Sequence, residues 1–132
     1  MLPHQPPMRL VEEVVEVTPG KRAVGRRVAH ASDFYFQGHF PGNPIVPAIV
    51  LVELLAQTGG IAVASGERAG ASVQLRVAGF GPFKFPAAAL PGAILEACAD
   101  VVGGFGGAFK IEGTVTASGV LVATGSVVLA GR

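Results

Sequence analysis

Hydrophobic and polar positions change their rhythm three times along the chain. Arg9 to Val17 carries Leu10, Val11, Val14, Val15 and Val17 and predicts a strand. Thr18-Pro19-Gly20-Lys21 has turn chemistry, because proline presets the first central dihedral and glycine supplies a positive φ at the second. Lys21 to His30 then alternates, with Ala23, Gly25, Arg27 and Ala29 on one face and Arg22, Val24, Arg26 and Val28 on the other. The two segments predict a hairpin, although neither face of the second is cleanly apolar. Ala31 to Pro47 is a loop rich in aromatics, glycine and proline. From Pro47 to about Ser65 the pattern becomes helical, over roughly 18 residues or about 27 Å. Pro47 suits the first helical position, where its missing N–H costs nothing. Glu53, Gln57 and Thr58 are the polar residues inside this helix, and the rest is Ile, Val, Leu, Ala and Gly. A helix apolar all round is expected to be buried all round.

The second half returns to a period of two. Val73, Leu75 and Val77 alternate with Gln74 and Arg76, Ile94 to Val102 reads as a strand, and Phe109, Ile111, Gly113 and Val115 alternate with Lys110, Glu112, Thr114 and Thr116. Gly103 to Gly107 reads as a flexible connection, Ser118-Gly119 as a turn, and Val120 to Leu129 as the last strand. The order is two strands, a loop, one long buried helix and about four strands, without repeats or an interdomain linker. It predicts an α+β fold in which an antiparallel sheet wraps one central helix, with residues 1–132 forming a single domain.

Composition sharpens this picture. Half of the 132 residues are hydrophobic and 14% are charged. So apolar a chain is expected to hide part of its surface against another subunit. The net charge of +1, with no basic stripe and no tryptophan, gives nucleic-acid binding little support. Cys98 is the sole cysteine, so no intrachain disulfide forms, which agrees with a reducing cytoplasm, and no Cys/His metal cluster can be assembled. The N-terminus lacks the basic start and apolar run of a signal peptide. The apolar run Ile45 to Leu55, interrupted by Pro47 and Glu53, falls short of the roughly 20 residues a membrane span requires.

His39 and Glu53 stand out against this background. One is an imidazole in a stiff Pro/Gly loop, the other a carboxylate in the middle of an apolar helix. Taken singly, a histidine beside an aromatic is more often a satisfied structural residue, and a buried glutamate is rarer because an unpaired buried charge is costly. Together they point to acid/base chemistry in a slot that excludes water. Gln57 lies one turn beyond Glu53 on the same face, and either orients it or simply satisfies the helix. His4 and His30 read as surface residues and Cys98 as a small hydrophobe in a strand. Core packing is the default for Phe34, Tyr35, Phe36, Phe83 and Phe85, with an acyl tunnel as the alternative.

The string Gly38-His39-Phe40-Pro41-Gly42-Asn43-Pro44, followed by Pro47 and Glu53…Ala56-Gln57, resembles the hotdog-fold beta-hydroxyacyl-acyl-carrier-protein dehydratases of bacterial fatty acid synthesis. Leu2-Pro3-His4, Phe83-Lys84-Phe85-Pro86 and Leu90-Pro91-Gly92 extend the similarity over nearly the whole chain. The resemblance implies a cytoplasmic homodimer whose two sheets join. Each active site would take the loop histidine from one subunit and the helix carboxylate from the other, and related enzymes assemble further into trimers of dimers. It implies an acyl carrier protein as partner and neither metal nor organic cofactor. Glutamate at position 53, rather than aspartate, resembles the branch that dehydrates without isomerising. Two departures are visible. Ala48 stands where the family usually has a glycine whose N–H binds the thioester carbonyl, and Gly103 to Gly107 lacks the basic residues often found there.

For such a reaction His39 suits the base that removes the C2 proton, its ordinary pKa of about 6.5 lying near working pH. Glu53, on an apolar face that disfavours the anion, suits the acid toward the departing C3 hydroxyl. The N–H groups at the helix start, that of Ala48 among them, would stabilise the enolate oxygen. A hotdog acyl thioesterase and a non-catalytic hotdog acyl-binding subunit remain the alternatives.

Overall fold

The computed structural model describes residues 9–30, 33, 45–66 and 75–131, with the backbone alone at Phe105. Six strands form one antiparallel sheet: β1 (Glu13–Thr18), β2 (Arg22–Val28), β3 (Leu75–Phe80), β4 (Ile94–Phe105), β5 (Ala108–Ala117) and β6 (Val120–Gly131). Their order across the sheet is β1-β2-β4-β5-β6-β3. The single helix, α1 (Ala48–Ser65), packs on one face and touches β1, β2, β4, β5 and β6. The α+β arrangement read from the sequence is therefore present. A period of two presents one face of each strand to the helix, and buried Leu95, Ala97, Ala99, Ile111, Val115, Val122, Val127 and Leu129 meet Val50, Leu51, Leu54, Leu55 and Val63 there.

Glycines set how closely the helix sits. A Cβ at Gly25 would lie 2.7 Å from Thr58 Oγ1, and one at Gly59 would lie 2.9 Å from Ile111 Cγ2. α1 runs through Gly59 to Ser65, and at Gly59 the missing side chain admits Ile111. The C-terminal end of α1 receives the first hairpin, Gly20 N–H donating to the Ala62 carbonyl at 3.0 Å.

Several boundaries differ from the sequence reading. β1 starts at Glu13 rather than Arg9, and Leu10 and Val11 instead form a buried lead-in to the strand. On β2 the row Ala23, Gly25, Arg27 is the buried one, so an arginine occupies a core-facing position. Pro47 caps the helix from outside with an extended ψ of 145°, and Ala48 is the first helical residue. Gly103 and Gly104 belong to β4, which extends to Phe105. The flexible connection is in fact a two-residue turn at Gly106-Gly107, with φ of 59° and 80°. Ser118-Gly119 is the same kind of turn, with φ of 47° and 88°. Positive φ at both central residues matches the twist of the flanking strands, which is why glycine recurs there.

By length and composition α1 is apolar enough to cross a membrane, with a mean hydropathy of 1.7, but 61% of it is buried inside the protein. It is a core helix. Its burial is nevertheless one-sided. Ala48 and Ile49 are exposed, Ile49 by 65%, and Glu53, Gly60 and Ile61 are half-covered. Complete burial fails because one sheet covers one side of a cylinder.

Candidate active site

The uncovered stripe of α1 carries the chemistry. Glu53 and Gln57 lie one turn apart, and Gln57 Nε2 donates to Glu53 Oε2 at 3.0 Å. Gln57 is 4% exposed. Its Oε1 accepts the backbone N–H of Leu10 at 2.7 Å, a buried bond across 47 positions of sequence. These two bonds fix the amide's orientation, since a peptide N–H only donates and must face the oxygen. Gln57 therefore offers an N–H to the carboxylate.

Glu53 is less dry than the sequence suggests. It is half-buried, because its face of the helix is uncovered in the single chain. Ala48 sits in the first turn, exposed, on a helix start that no side chain caps among the described residues. Its first-turn amides and the positive end of the helix dipole point along the helix axis, out of that start. The structure thus brings Ala48, Glu53 and Gln57 onto one helix. His39 lies outside the described residues, as do Phe34, Tyr35 and Phe36.

Two further features bound the site. Phe83 packs against the core cluster, its ring filling the space a side chain at Gly125 would need, and stacks on Phe85 with centroids 5.9 Å apart. Phe83 is thus half-buried against the core, close to the default reading, whereas Phe85 departs from it and is 43% exposed. A hollow of about 680 Å³ among β4, β5 and β6, lined by Asp100, Glu112, Thr114, Thr124 and Ser126, reaches none of Ala48, Glu53 or Gln57.

The sequence reading passed over Arg27 and Asp33. Arg27 Nη2 donates to Asp33 Oδ1 at 2.5 Å, and Nη1 donates to the Leu10 carbonyl at 3.2 Å and lies 3.6 Å from Glu12 Oε2. Asp33 Oδ2 accepts the His30 N–H at 2.9 Å. Both side chains of the pair are nine-tenths buried. The available signal was an arginine in the alternating row of Ala23, Gly25 and Ala29, where a charge needs a buried partner. His30 is exposed as expected, with Nε2 2.9 Å from Glu12 Oε2. Cys98 is half-buried on β4, and burial pushes its thiol pKa up.

Comparison with known proteins agrees with this geometry. The family model of the FabA-like domain matches residues 2–129. The 3-hydroxyacyl-acyl-carrier-protein dehydratase FabZ of Ruminiclostridium cellulolyticum is 36% identical over 127 residues, covering 96% of this chain and 89% of that protein. FabZ of Chloroflexus aggregans is 52% identical over 65 residues, an alignment spanning 49% of this chain and 45% of the relative. Among solved structures, the dehydratase heterocomplex ApeI:P from Xenorhabdus doucetiae superposes with a TM-score of 0.82 at 21% identity, covering 99% of this chain and 88% of that one. A hypothetical thioesterase with coenzyme A from Streptococcus pneumoniae gives a TM-score of 0.70 at 12% identity, covering 91% and 84%. At such identities the structures establish a shared hotdog architecture.

Proposed function

The chain belongs to the FabA-like domain family, and from that premise we propose that it is a hydro-lyase converting (3R)-3-hydroxyacyl-acyl-carrier-protein thioesters into trans-2-enoyl thioesters in fatty acid biosynthesis. The single observation that carries this reading is the Glu53–Gln57 couple, a carboxylate with a fixed donor on an otherwise apolar stripe. Near-full-length similarity to FabZ supports the same reaction.

The reaction is a proton relay. His39 removes a proton from C2 of the thioester. Electron density moves onto the carbonyl oxygen, where the first-turn N–H groups of α1, including that of Ala48, stabilise it. The bond from C3 to its hydroxyl breaks as Glu53 delivers a proton, so water leaves and the C2–C3 double bond forms. No electrons are exchanged with another molecule, and His39 and Glu53 supply both proton transfers, so the scheme calls for neither metal nor organic cofactor. The methyl of Ala48 narrows the approach to its N–H without removing the donor.

A second copy of the chain supplies the missing half of the site in this proposal. Ile49 is exposed while Glu53, Gly60 and Ile61 are half-covered, and among the described residues β3 is an edge strand of the sheet, its last residue Phe80 60% exposed. Pairing across that edge would cover the stripe and bring a partner's loop histidine over Glu53, and such dimers could stack by threes. The acyl carrier protein delivers the substrate, and the enzyme works in the cytoplasm.

The test is product identity. Incubated with a short 3-hydroxyacyl carrier thioester, the protein is expected to give enoyl thioester with the carrier thiol still acylated. Release of free thiol instead would favour the thioesterase reading, which the structural likeness to the Streptococcus pneumoniae protein keeps in view.

A further inference from the structure

A chain of polar contacts, buried except at its last link, runs from Asp33 to Glu53. Asp33 pairs with Arg27. Arg27 donates to the carbonyl of Leu10. The N–H of the same residue donates to Gln57 Oε1, and Gln57 Nε2 donates to Glu53 Oε2. We propose that the Arg27–Asp33 pair is a positioning device for catalysis. Through the Leu10 main chain it holds Gln57 in one amide orientation, and Gln57 in turn holds the Glu53 carboxyl group in place.

Three observations carry the inference. The pair stands in a row of small core-facing residues, and burying two charges is a poor route to stability, since well-packed apolar residues do as well or better. A buried pair of this kind contributes geometry. Leu10 lies in the irregular lead-in to β1 rather than in a sheet ladder, so its carbonyl and N–H are placed by side chains, Arg27 at one and Gln57 at the other. A flipped Gln57 amide would set donor against donor at Leu10 and oxygen against oxygen at Glu53, so a fixed Leu10 forbids the flip. With Oε2 accepting from Gln57, the Glu53 carboxyl group is held in one place on the helix. Asp33 also accepts the His30 N–H, which ties the same network to the segment leading toward His39.

This inference rests on the reading of Glu53 as the proton donor. It is tested with Arg27→Met, Arg27→Lys and Gln57→Leu in the full-length protein. Arg27→Met is expected to lower kcat about tenfold or more, with KM moving less than about twofold, because a misplaced catalytic group costs turnover rather than binding. Arg27→Lys keeps the charge opposite Asp33 but loses the planar fork, so it should recover folding stability while recovering kcat only in part. In a Gln57→Leu background, Arg27→Met should cause no further fall in kcat. Independently of turnover, the Gln57 side-chain amide protons are expected to exchange slowly with solvent in the wild type and at least about tenfold faster in Arg27→Lys, a variant that remains available if Arg27→Met does not fold. Unchanged kcat in Arg27→Lys with equally slow amide exchange would overturn the proposal, as would additive losses in the double variant. If the wild type forms no enoyl product, the assigned reaction fails, and amide exchange alone then decides the network.

Discussion

Gly25→Ala tests how the helix that carries Glu53 is seated. The new Cβ would lie 2.7 Å from Thr58 Oγ1, 3.4 Å from Thr58 Cγ2 and 3.1 Å from Val11 Cγ1. Thr58 is fully buried and its hydroxyl donates to the Leu54 carbonyl at 2.8 Å, so it has little room to turn away. Overpacking of this kind costs about 1–3 kcal/mol, offset by about 0.4–1 kcal/mol because alanine restricts the unfolded chain. The net expectation is a loss of about 1–2 kcal/mol. For a chain of 132 residues the unfolding entropy at the midpoint is near 0.28 kcal/mol per kelvin, so Tm should fall by about 4–7 °C. Thr58→Ala removes the nearest atom, Oγ1, and the third, Cγ2, leaving Val11 Cγ1 at 3.1 Å, and is itself expected to cost about 1–2 kcal/mol in lost burial and hydrogen bonding. In that background Gly25→Ala should cost less, only the contact with Val11 being left to relax, a coupling of about 1 kcal/mol. The assay is urea unfolding of all four proteins at one protein concentration, with equal m-values required before the free energies are compared. Additive losses would refute the claim that Thr58 sets the distance between β2 and α1.

Other substitutions reach different parts of the account. Glu53→Gln keeps an oxygen for Gln57 to donate to but no transferable proton, so kcat is expected to fall by two to four orders of magnitude with stability changed by less than about 1 kcal/mol, read by enoyl formation and thermal unfolding. Gly119→Ala places a side chain at φ 88° and should cost about 1 kcal/mol in the same unfolding assay, whereas Ser118→Gly, at φ 47°, should be neutral or stabilising. Burial raises the Cys98 thiol pKa, so less thiolate is present at any given pH than in a free cysteine. Alkylation of Cys98 should therefore be slow in the native protein up to pH 9 and become fast on unfolding in urea, as followed by mass spectrometry.

How much was legible in the sequence depended on how local its cause was. The α+β order, the helix to Ser65 and the turn at Ser118-Gly119 follow from periodicity and turn chemistry, which act over a few residues, and the structure has them. The family resemblance rested on a long string around His39 and is matched by the FabA-like domain over residues 2–129. What escaped the sequence depends on contacts between distant segments. Gly103 and Gly104 lie in β4 because β5 pairs along them, which overrides the weak strand preference of glycine. Arg27 faces the core because Asp33 and the Leu10 carbonyl wait for it there, and neither is its neighbour in sequence. The open stripe of α1 was hidden for a related reason, since an apolar helix reads the same whether one sheet or two subunits cover it. The pairing of Gln57 with Glu53 was visible from a spacing of four, but the amide's orientation came from Leu10, 47 positions away.

The central claim is that His39 starts the reaction by removing the C2 proton. The most direct measurement is kcat for enoyl formation by His39→Ala against the wild type, on a carrier-bound 3-hydroxyacyl thioester and with the affinity for that thioester measured alongside. A fall of about two to four orders of magnitude at unchanged affinity is the expected result. Turnover within a few-fold of wild type would contradict the account, whatever the fate of its other parts.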